Sequence, residues 1–261
     1  MNTISQKLKI GKSLALLALL VSQPVAAQSL VSGGSVRGQV TQSLTPGGVS
    51  LLNSFDLDFG FGNDHQITRI KVLPNDASTS VAIAYNDKNS DDSYNYRAGF
   101  WGSPTTIAYP YKKSGSCRGS CSLPLTVPAG FTFVLRGFSL QFASSDHHIK
   151  TIGIEHGGTN LNVYYADKNS DDLFYYEISY ALVRTTALKN IANLSGSGVN
   201  AASASLNAGR QVLRGFMFNF STDHHISKLQ IAPSNTSLGV VYRDKNGDDS
   251  FSWRVKTASL L

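Results

Sequence analysis

Cysteine and methionine are scarce in this chain of 261 residues, with two of each. The cysteines, Cys117 and Cys121, stand four positions apart without a nearby histidine, which makes a zinc site a poor fit. In an exported protein such a pair can form a disulfide, so we predict a Cys117–Cys121 bridge. It would close a short loop that constrains few residues, so its contribution to stability is expected to be small.

Long apolar runs are also lacking. The run at 14–21 is far shorter than the roughly 20 residues that span a bilayer. It follows three lysines and precedes small residues that end at Ala27, an order typical of a cleaved export signal. We therefore predict a signal peptide at 1–27, a mature chain beginning at Gln28, no membrane span after cleavage, and a secreted or periplasmic location.

No block of basic residues is present either. Outside the predicted signal peptide, 20 Lys and Arg stand against 17 Asp and Glu, which leaves a net charge of +3. This gives no electrostatic case for a nucleic-acid partner. The sequence also has no Gly-x-Ser-x-Gly, no His-Glu-x-x-His and no glycine loop that would cradle a phosphate. The absence of these catalytic motifs favours a non-enzymatic role.

Aromatic residues, glycine, serine and asparagine are abundant. The 13 Phe and 11 Tyr can fill a core, whereas runs of helix formers are few. This mixture favours strands and turns, so we predict an all-β fold.

One pattern occurs three times and organises the rest of the chain. Each copy has the acidic loop Asp-Lys-Asn-(Ser/Gly)-Asp-Asp between two runs rich in aromatic and branched residues. Around the copies we predict three internal β repeats of about four antiparallel strands each, at 51–102, 131–184 and 210–261. Because a repeat of this size is marginal alone, we expect the copies to pack in a pseudo-threefold or sandwich-like assembly.

The segments outside the repeats have a different composition. Residues 28–50 are predicted to form an irregular N-terminal arm or one edge strand. Residues 103–130 are interpreted as a linker with the cysteine pair, and 185–209 as a flexible linker rich in Gly, Ser and Ala. Each linker could also hold one extra strand.

Within each repeat, apolar residues alternate with a period of two, which predicts one face buried in a core. A three-residue gap between the first two apolar residues of the second strand predicts a β-bulge. Tyr175 falls on the outer face of its strand and is the aromatic residue expected to be exposed.

The acidic loops are candidate calcium sites, because alternating Asp and Asn oxygens suit a hard cation. The candidate ligands are Asp87, Asn89, Asp91, Asp92, Asp167, Asn169, Asp171, Asp172, Asp244, Asn246, Asp248 and Asp249. Over six residues the loop resembles the first half of an EF-hand loop, but its sixth position is Asp rather than Gly. The alternative is a purely structural hairpin turn, which Asp, Asn and Gly suit equally well.

A second polar turn carries an Asp-His pair in each repeat. In a four-stranded meander it would lie at the same end as the acidic loop. Its residues are secondary candidates for a zinc or manganese site: Asp64, His65, Asp146, His147, Asp223 and His224. Adjacent histidines on an extended segment point to opposite faces, so both could not easily bind one metal ion. The alternative role is structural, with the carboxylate fixing the imidazole tautomer.

These features favour a secreted, non-enzymatic binding or surface-interaction protein with a carbohydrate or cell-surface ligand and calcium as a candidate cofactor. Three four-stranded units resemble the layout of the β-prism and other lectin architectures, and repetition would give multivalent binding. Two alternatives stay open: an exported metal-dependent hydrolase that uses the Asp/His turns, and a purely structural envelope or matrix protein. The sequence does not fix the oligomeric state.

Overall fold

The computed structural model describes residues 27–45, 47–60, 66–88, 93–142, 148–168, 173–220, 225–245 and 250–261. The predicted signal peptide, apart from Ala27, lies outside these residues. The described part of the chain forms eighteen β-strands and one 3-10 turn, Thr185–Ala187. The predicted all-β fold class is therefore confirmed.

The strands form three consecutive groups of six, here named units 1, 2 and 3. Unit 1 contains β1 (Gln28–Arg37), β2 (Gln39–Ser43), β3 (Val49–Asp58), β4 (Ile67–Pro74), β5 (Ser80–Asp87) and β6 (Ser93–Ser103). Unit 2 contains β7 (Ala108–Arg118), β8 (Cys121–Pro124), β9 (Phe131–Phe142), β10 (Ile149–Gly157), β11 (Asn160–Asp167) and β12 (Leu173–Arg184). Unit 3 contains β13 (Leu188–Val199), β14 (Ala201–Ser205), β15 (Arg210–Phe220), β16 (Ile226–Pro233), β17 (Ser237–Asp244) and β18 (Ser250–Leu260).

Each unit has two strands more than the four predicted per repeat. The segments interpreted as an arm and two linkers, for which one strand each was allowed, contain two: β1 and β2, β7 and β8, and β13 and β14. Their glycines and serines suggested loops, but β1, β7 and β13 each place one glycine beneath an aromatic ring of the neighbouring strand. A Cβ atom on these glycines would lie 2.7, 2.6 and 3.0 Å from the facing side chain, in the pairs Gly33–Tyr96, Gly115–Tyr176 and Gly196–Trp253. Glycine therefore lets the ring cover the edge strand.

The units are joined by exchange of strands, and every sheet combines two of them. Sheet I has the order β1-β6-β3-β16-β17-β14, sheet II β7-β12-β9-β4-β5-β2 and sheet III β13-β18-β15-β10-β11-β8. Sheets I and III are linked by the strand pairing of a single residue pair, Val199 with Ala201. All the pairs are antiparallel, and each unit contributes three strands to its own sheet and three to the next. The pairing of β16 with β3 closes this cycle. The strand pairing therefore has threefold pseudosymmetry, while the sequence repetition itself remains an interpretation.

The three sheets enclose a common core with an aromatic cluster at its centre. The rings of Phe55, Phe138 and Phe216, one from each unit, lie 5.1 to 5.4 Å apart. They mark a pseudo-threefold axis. The alternating residues predicted to be buried line the same core, and the predicted bulge occurs in all three units, at the start of β4, β10 and β16.

Two positions before each phenylalanine of this cluster the strand has a polar residue, and two of the three are buried. Each of β3, β9 and β15 has a bulge there, at Asn53, Arg136 and Arg214. The Asn53 amide donates to the Gln211 carbonyl at 2.8 Å. The Arg136 guanidinium is 1% exposed and donates to acceptors of unit 1, so it ties two units together.

At each corner between two sheets the chain turns on one residue with positive φ: Gly38 (62°), Gly119 (63°) and Asn200 (63°). Glycine and asparagine adopt this conformation at low cost. The predicted disulfide between Cys117 and Cys121 is confirmed, and it bridges the corner at Gly119, with the two Cα atoms 6.2 Å apart.

Candidate functional site

The first aspartate of each acidic loop ends a core strand and is buried. Asp87, Asp167 and Asp244 are the last residues of β5, β11 and β17, and their exposed fractions are 8%, 7% and 3%. Each carboxylate accepts a hydrogen bond from the tyrosine two residues earlier, at 2.9 Å from Tyr85, 3.1 Å from Tyr165 and 3.0 Å from Tyr242. Asp244 also accepts from the backbone N–H of His225 at 2.9 Å. These contacts give the three carboxylates a structural role at the strand ends.

The residues that flank the two polar turns are neighbours, although the predicted four-stranded meander is wrong: β3 and β6 pair in one sheet, and β4 and β5 pair in the next. Three equivalent backbone hydrogen bonds of 3.1 Å join the flanking residues, from Lys88 N to Gln66 O, Lys168 N to His148 O and Lys245 N to His225 O. The remaining candidate ligands lie outside the described residues: Asn89, Asp91, Asp92, Asn169, Asp171, Asp172, Asn246, Asp248, Asp249, Asp64, His65, Asp146, His147, Asp223 and His224. Calcium binding by the loops therefore stays a prediction.

Replacing Asp244 by Asn separates the structural role from the calcium role. If the carboxylate acts mainly as an acceptor for Tyr242 and His225, the variant should lose about 2 kcal/mol of unfolding free energy even with chelator present. If Asp244 is mainly a calcium ligand, the loss should appear only when calcium is present. Urea unfolding with chelator and with millimolar calcium distinguishes the two. Asp76→Asn, at a largely exposed ion pair with Lys112, is the control and should change little in either condition.

Two histidines that were not among the candidate ligands meet across units 2 and 3. The rings of His148 and His225 lie 4.6 Å apart with an interplanar angle of 76°. Each directly precedes the first residue of the equivalent strand, β10 or β16, and Gln66 holds that place before β4. The side-chain atoms Gln66 Oε1, His148 Nδ1 and His225 Nδ1 are all shielded from solvent. Sequence reasoning singled out the preceding histidines, since only those occur in all three repeats.

The outer faces of the three sheets carry a polar or aromatic pair at the same cross-strand position. These residues point away from the core because their neighbours Phe59, Phe142 and Phe220 point into it. The pairs are Asp58 with Asn95, Gln141 with Tyr175, and Asn219 with Ser252. Tyr175 is 48% exposed, which confirms the expectation for this residue.

Two of these positions lie in open grooves. The groove on sheet III has a volume of about 630 Å³ and is lined by Ser197, Gly198, Val199, Asn219, Ser252 and their neighbours. The groove on sheet I, of about 400 Å³, contains Asp56, Asp58, Asn95, Arg97 and Lys228. In the latter, Lys228 Nζ lies 3.0 Å from Asp56 and 3.3 Å from Asp58, which leaves carboxylate, amide and guanidinium groups in one concave surface.

Within the described ranges, no group of three or more His, Cys, Asp or Glu side chains is arranged to hold a metal ion. The same part of the chain has no helix of the length and apolarity needed to cross a membrane.

Comparison of the chain with known proteins adds no family assignment: no protein-family model matches it, and no curated protein does either.

Proposed function

We propose that this chain is an exported, non-enzymatic binding protein whose ligand is a hydroxyl-rich surface polymer, with a glycan as the ligand class. The observation that carries the proposal is the trio of cross-strand pairs on the outer faces. A sugar ring offers hydroxyl groups at its edge and C–H groups on its face. Amides and carboxylates bind the hydroxyls, and an exposed tyrosine ring suits the C–H face.

The three positions differ in chemistry. Sheet I offers Asp58 and Asn95, sheet II Gln141 and Tyr175, and sheet III Asn219 and Ser252. Each binds weakly alone, but three sites on one rigid body gain avidity from a ligand with repeated units. This favours a polymer over a free monosaccharide. Calcium remains a candidate cofactor of the neighbouring acidic loops.

Tyr175→Ala is expected to weaken binding to an immobilised glycan polymer about tenfold or more, because one of three linked sites loses its apolar surface. The ligand is first identified on a glycan array, with and without calcium, and the affinity of the variant is then measured on the polymer found. Tyr175→Phe should retain most of the binding, since the ring is kept.

Ile191→Ala is the matched control for this experiment. Ile191 is 47% exposed, close to the value for Tyr175, but it lies near the start of β13 at the other end of the sheets. Its replacement should leave binding unchanged. Absence of any glycan binding in both calcium conditions, or equal binding by wild type and Tyr175→Ala, would contradict the proposal.

A further inference from the structure

The ring separation of His148 and His225 is compatible with two imidazoles that bind one metal ion. Two imidazoles bound to a tetrahedral zinc ion at about 2.0–2.1 Å have ring centroids about 5 Å apart. The observed centroid separation is 4.6 Å, and the rings are inclined by 76° so that one does not stack on the other. His225 is only 8% exposed, so its imidazole is held within the protein.

Gln66 is the third residue at this place. His148 and His225 are equivalent under the pseudo-threefold arrangement, and Gln66 is their counterpart in unit 1. Its backbone carbonyl accepts the equivalent hydrogen bond, and its Oε1 atom is shielded from solvent like the Nδ1 atoms of the two imidazoles. Gln66 therefore has, in unit 1, the same backbone position and the same shielded side-chain atom as the two histidines have in units 2 and 3.

The electrostatic surroundings favour a cation. Residues Ile67, Ile149 and Ile226, which follow Gln66 and the two histidines, pair across the strands with Asp87, Asp167 and Asp244. One of them, Asp244, accepts a hydrogen bond from the backbone N–H of His225. Each ligand position therefore has a buried carboxylate on the facing strand, one residue further along, and this negative charge favours a divalent ion nearby.

We propose that Gln66, His148 and His225 form a divalent-cation site on the pseudo-threefold axis. Imidazole nitrogen selects zinc, nickel or copper over calcium, so this site is chemically distinct from the predicted calcium loops. The bound ion joins one residue from each unit and stabilises the folded state by mass action. This inference does not depend on glycan binding.

The test uses the full chain after treatment with chelator, titrated with Zn²⁺ by calorimetry and followed by thermal melting. Co²⁺ is the spectroscopic probe, since its visible absorption reports ligand number and geometry. His148→Gln and His225→Gln each introduce the residue that unit 1 already has. Each is expected to weaken Zn²⁺ binding at least about tenfold, since even outer-shell partners of a metal ligand contribute that much.

Gln66→His is the complementary variant and would supply a third imidazole. It is expected to tighten Zn²⁺ binding by about tenfold and to change the Co²⁺ spectrum. The control is His156→Gln, because the His156 ring stacks on Phe133 and bonds the Leu125 carbonyl, in a separate contact. Its Zn²⁺ affinity should equal that of the wild type.

Two outcomes would overturn the proposal. One is the absence of Zn²⁺ binding and of any melting shift in the wild type at millimolar metal. The other is equal affinity in the wild type, His148→Gln and Gln66→His, which would place a bound ion elsewhere. If a histidine variant fails to fold, the Gln66→His titration still decides, because that change leaves both histidines in place.

Discussion

Replacing Phe138 by alanine is expected to lower the free energy of unfolding by about 3 to 5 kcal/mol, the range for deletion of a buried phenylalanine ring. The ring is fully buried and contacts Phe55 at 5.4 Å and Phe216 at 5.2 Å. The three rings belong to strands of three different units, so the backbone cannot easily collapse to fill the cavity. Urea unfolding at constant temperature measures the loss.

Phe131→Ala is the control for this variant. Phe131 begins the same strand but is only partly buried, with an edge contact to Tyr109 and the Arg184 guanidinium above its ring. Its loss should cost about 1 kcal/mol. If both variants unfold at the same urea concentration, the contact of three phenylalanines is not central to the stability of the core.

The second large effect is expected at Arg136, where replacement by methionine should cost about 3 kcal/mol. Its Nε donates to the Ser50 carbonyl at 3.2 Å, and its Nη2 donates to the Asn75 carbonyl at 3.0 Å and to Ser78 Oγ at 2.8 Å. Burial lowers the pKa of this guanidinium, but the three acceptors offset the desolvation. Methionine fills a similar volume and leaves those acceptors buried without their donor.

Arg214 is the natural comparison because it stands at the same bulge in unit 3. Burial lowers its pKa as well, but its buried Nε and Nη1 atoms have no hydrogen-bond partner among the described residues. Arg214→Met should therefore leave stability unchanged or raise it, because burial of unpaired N–H groups is costly. Equal losses in the two methionine variants would contradict this account.

The alternating residues predicted most of the core. Phe55, Leu57 and Phe59 are buried as their period of two requires, and so are their counterparts in the other units. The exposure of Tyr175 and the disulfide also followed from local sequence. The disulfide joins residues close in the chain, and burial follows from the alternation of apolar residues along one strand. Both can be read from a single sequence.

The exchange of strands between units could not be predicted in the same way. The hairpin β4–β5 has the same apolar face whether it pairs with its own unit or with the next one. The pairing depends on close contact between the backbones of β9 and β4. At Gly137 of β9, for example, a Cβ atom would lie 2.3 Å from the carbonyl oxygen of Val72 in β4. The sequence allowed at most one strand in each segment that contains β1, β7 or β13, but the structure has two, because the glycines of these strands fit aromatic rings from elsewhere in the chain.

The candidate site shows the same limit. The residues that flank the two polar turns are neighbours, as the sequence predicted, but the meander from which this was argued is wrong, because β3 pairs with β6 and not with β4. The sequence did not reveal the contact between His148 and His225, because that contact depends on how two units meet at the axis. The sequence shows that each histidine precedes an equivalent strand. That the two rings are in contact follows only from the threefold arrangement of the units.

The closure of the ring by β16 and β3 has a consequence for the order of folding. Lys228 bonds to Asp56, 172 residues earlier, so sheet I is complete only when the last third of the chain has been made. Contacts between such distant residues are slow to form, so the nascent chain should remain loosely structured until the β16–β17 hairpin has been made. During this delay β3 lacks its neighbour, and the β16–β17 hairpin of a second molecule could pair with it. High concentration during refolding should therefore favour linked dimers in which two chains complete each other's rings.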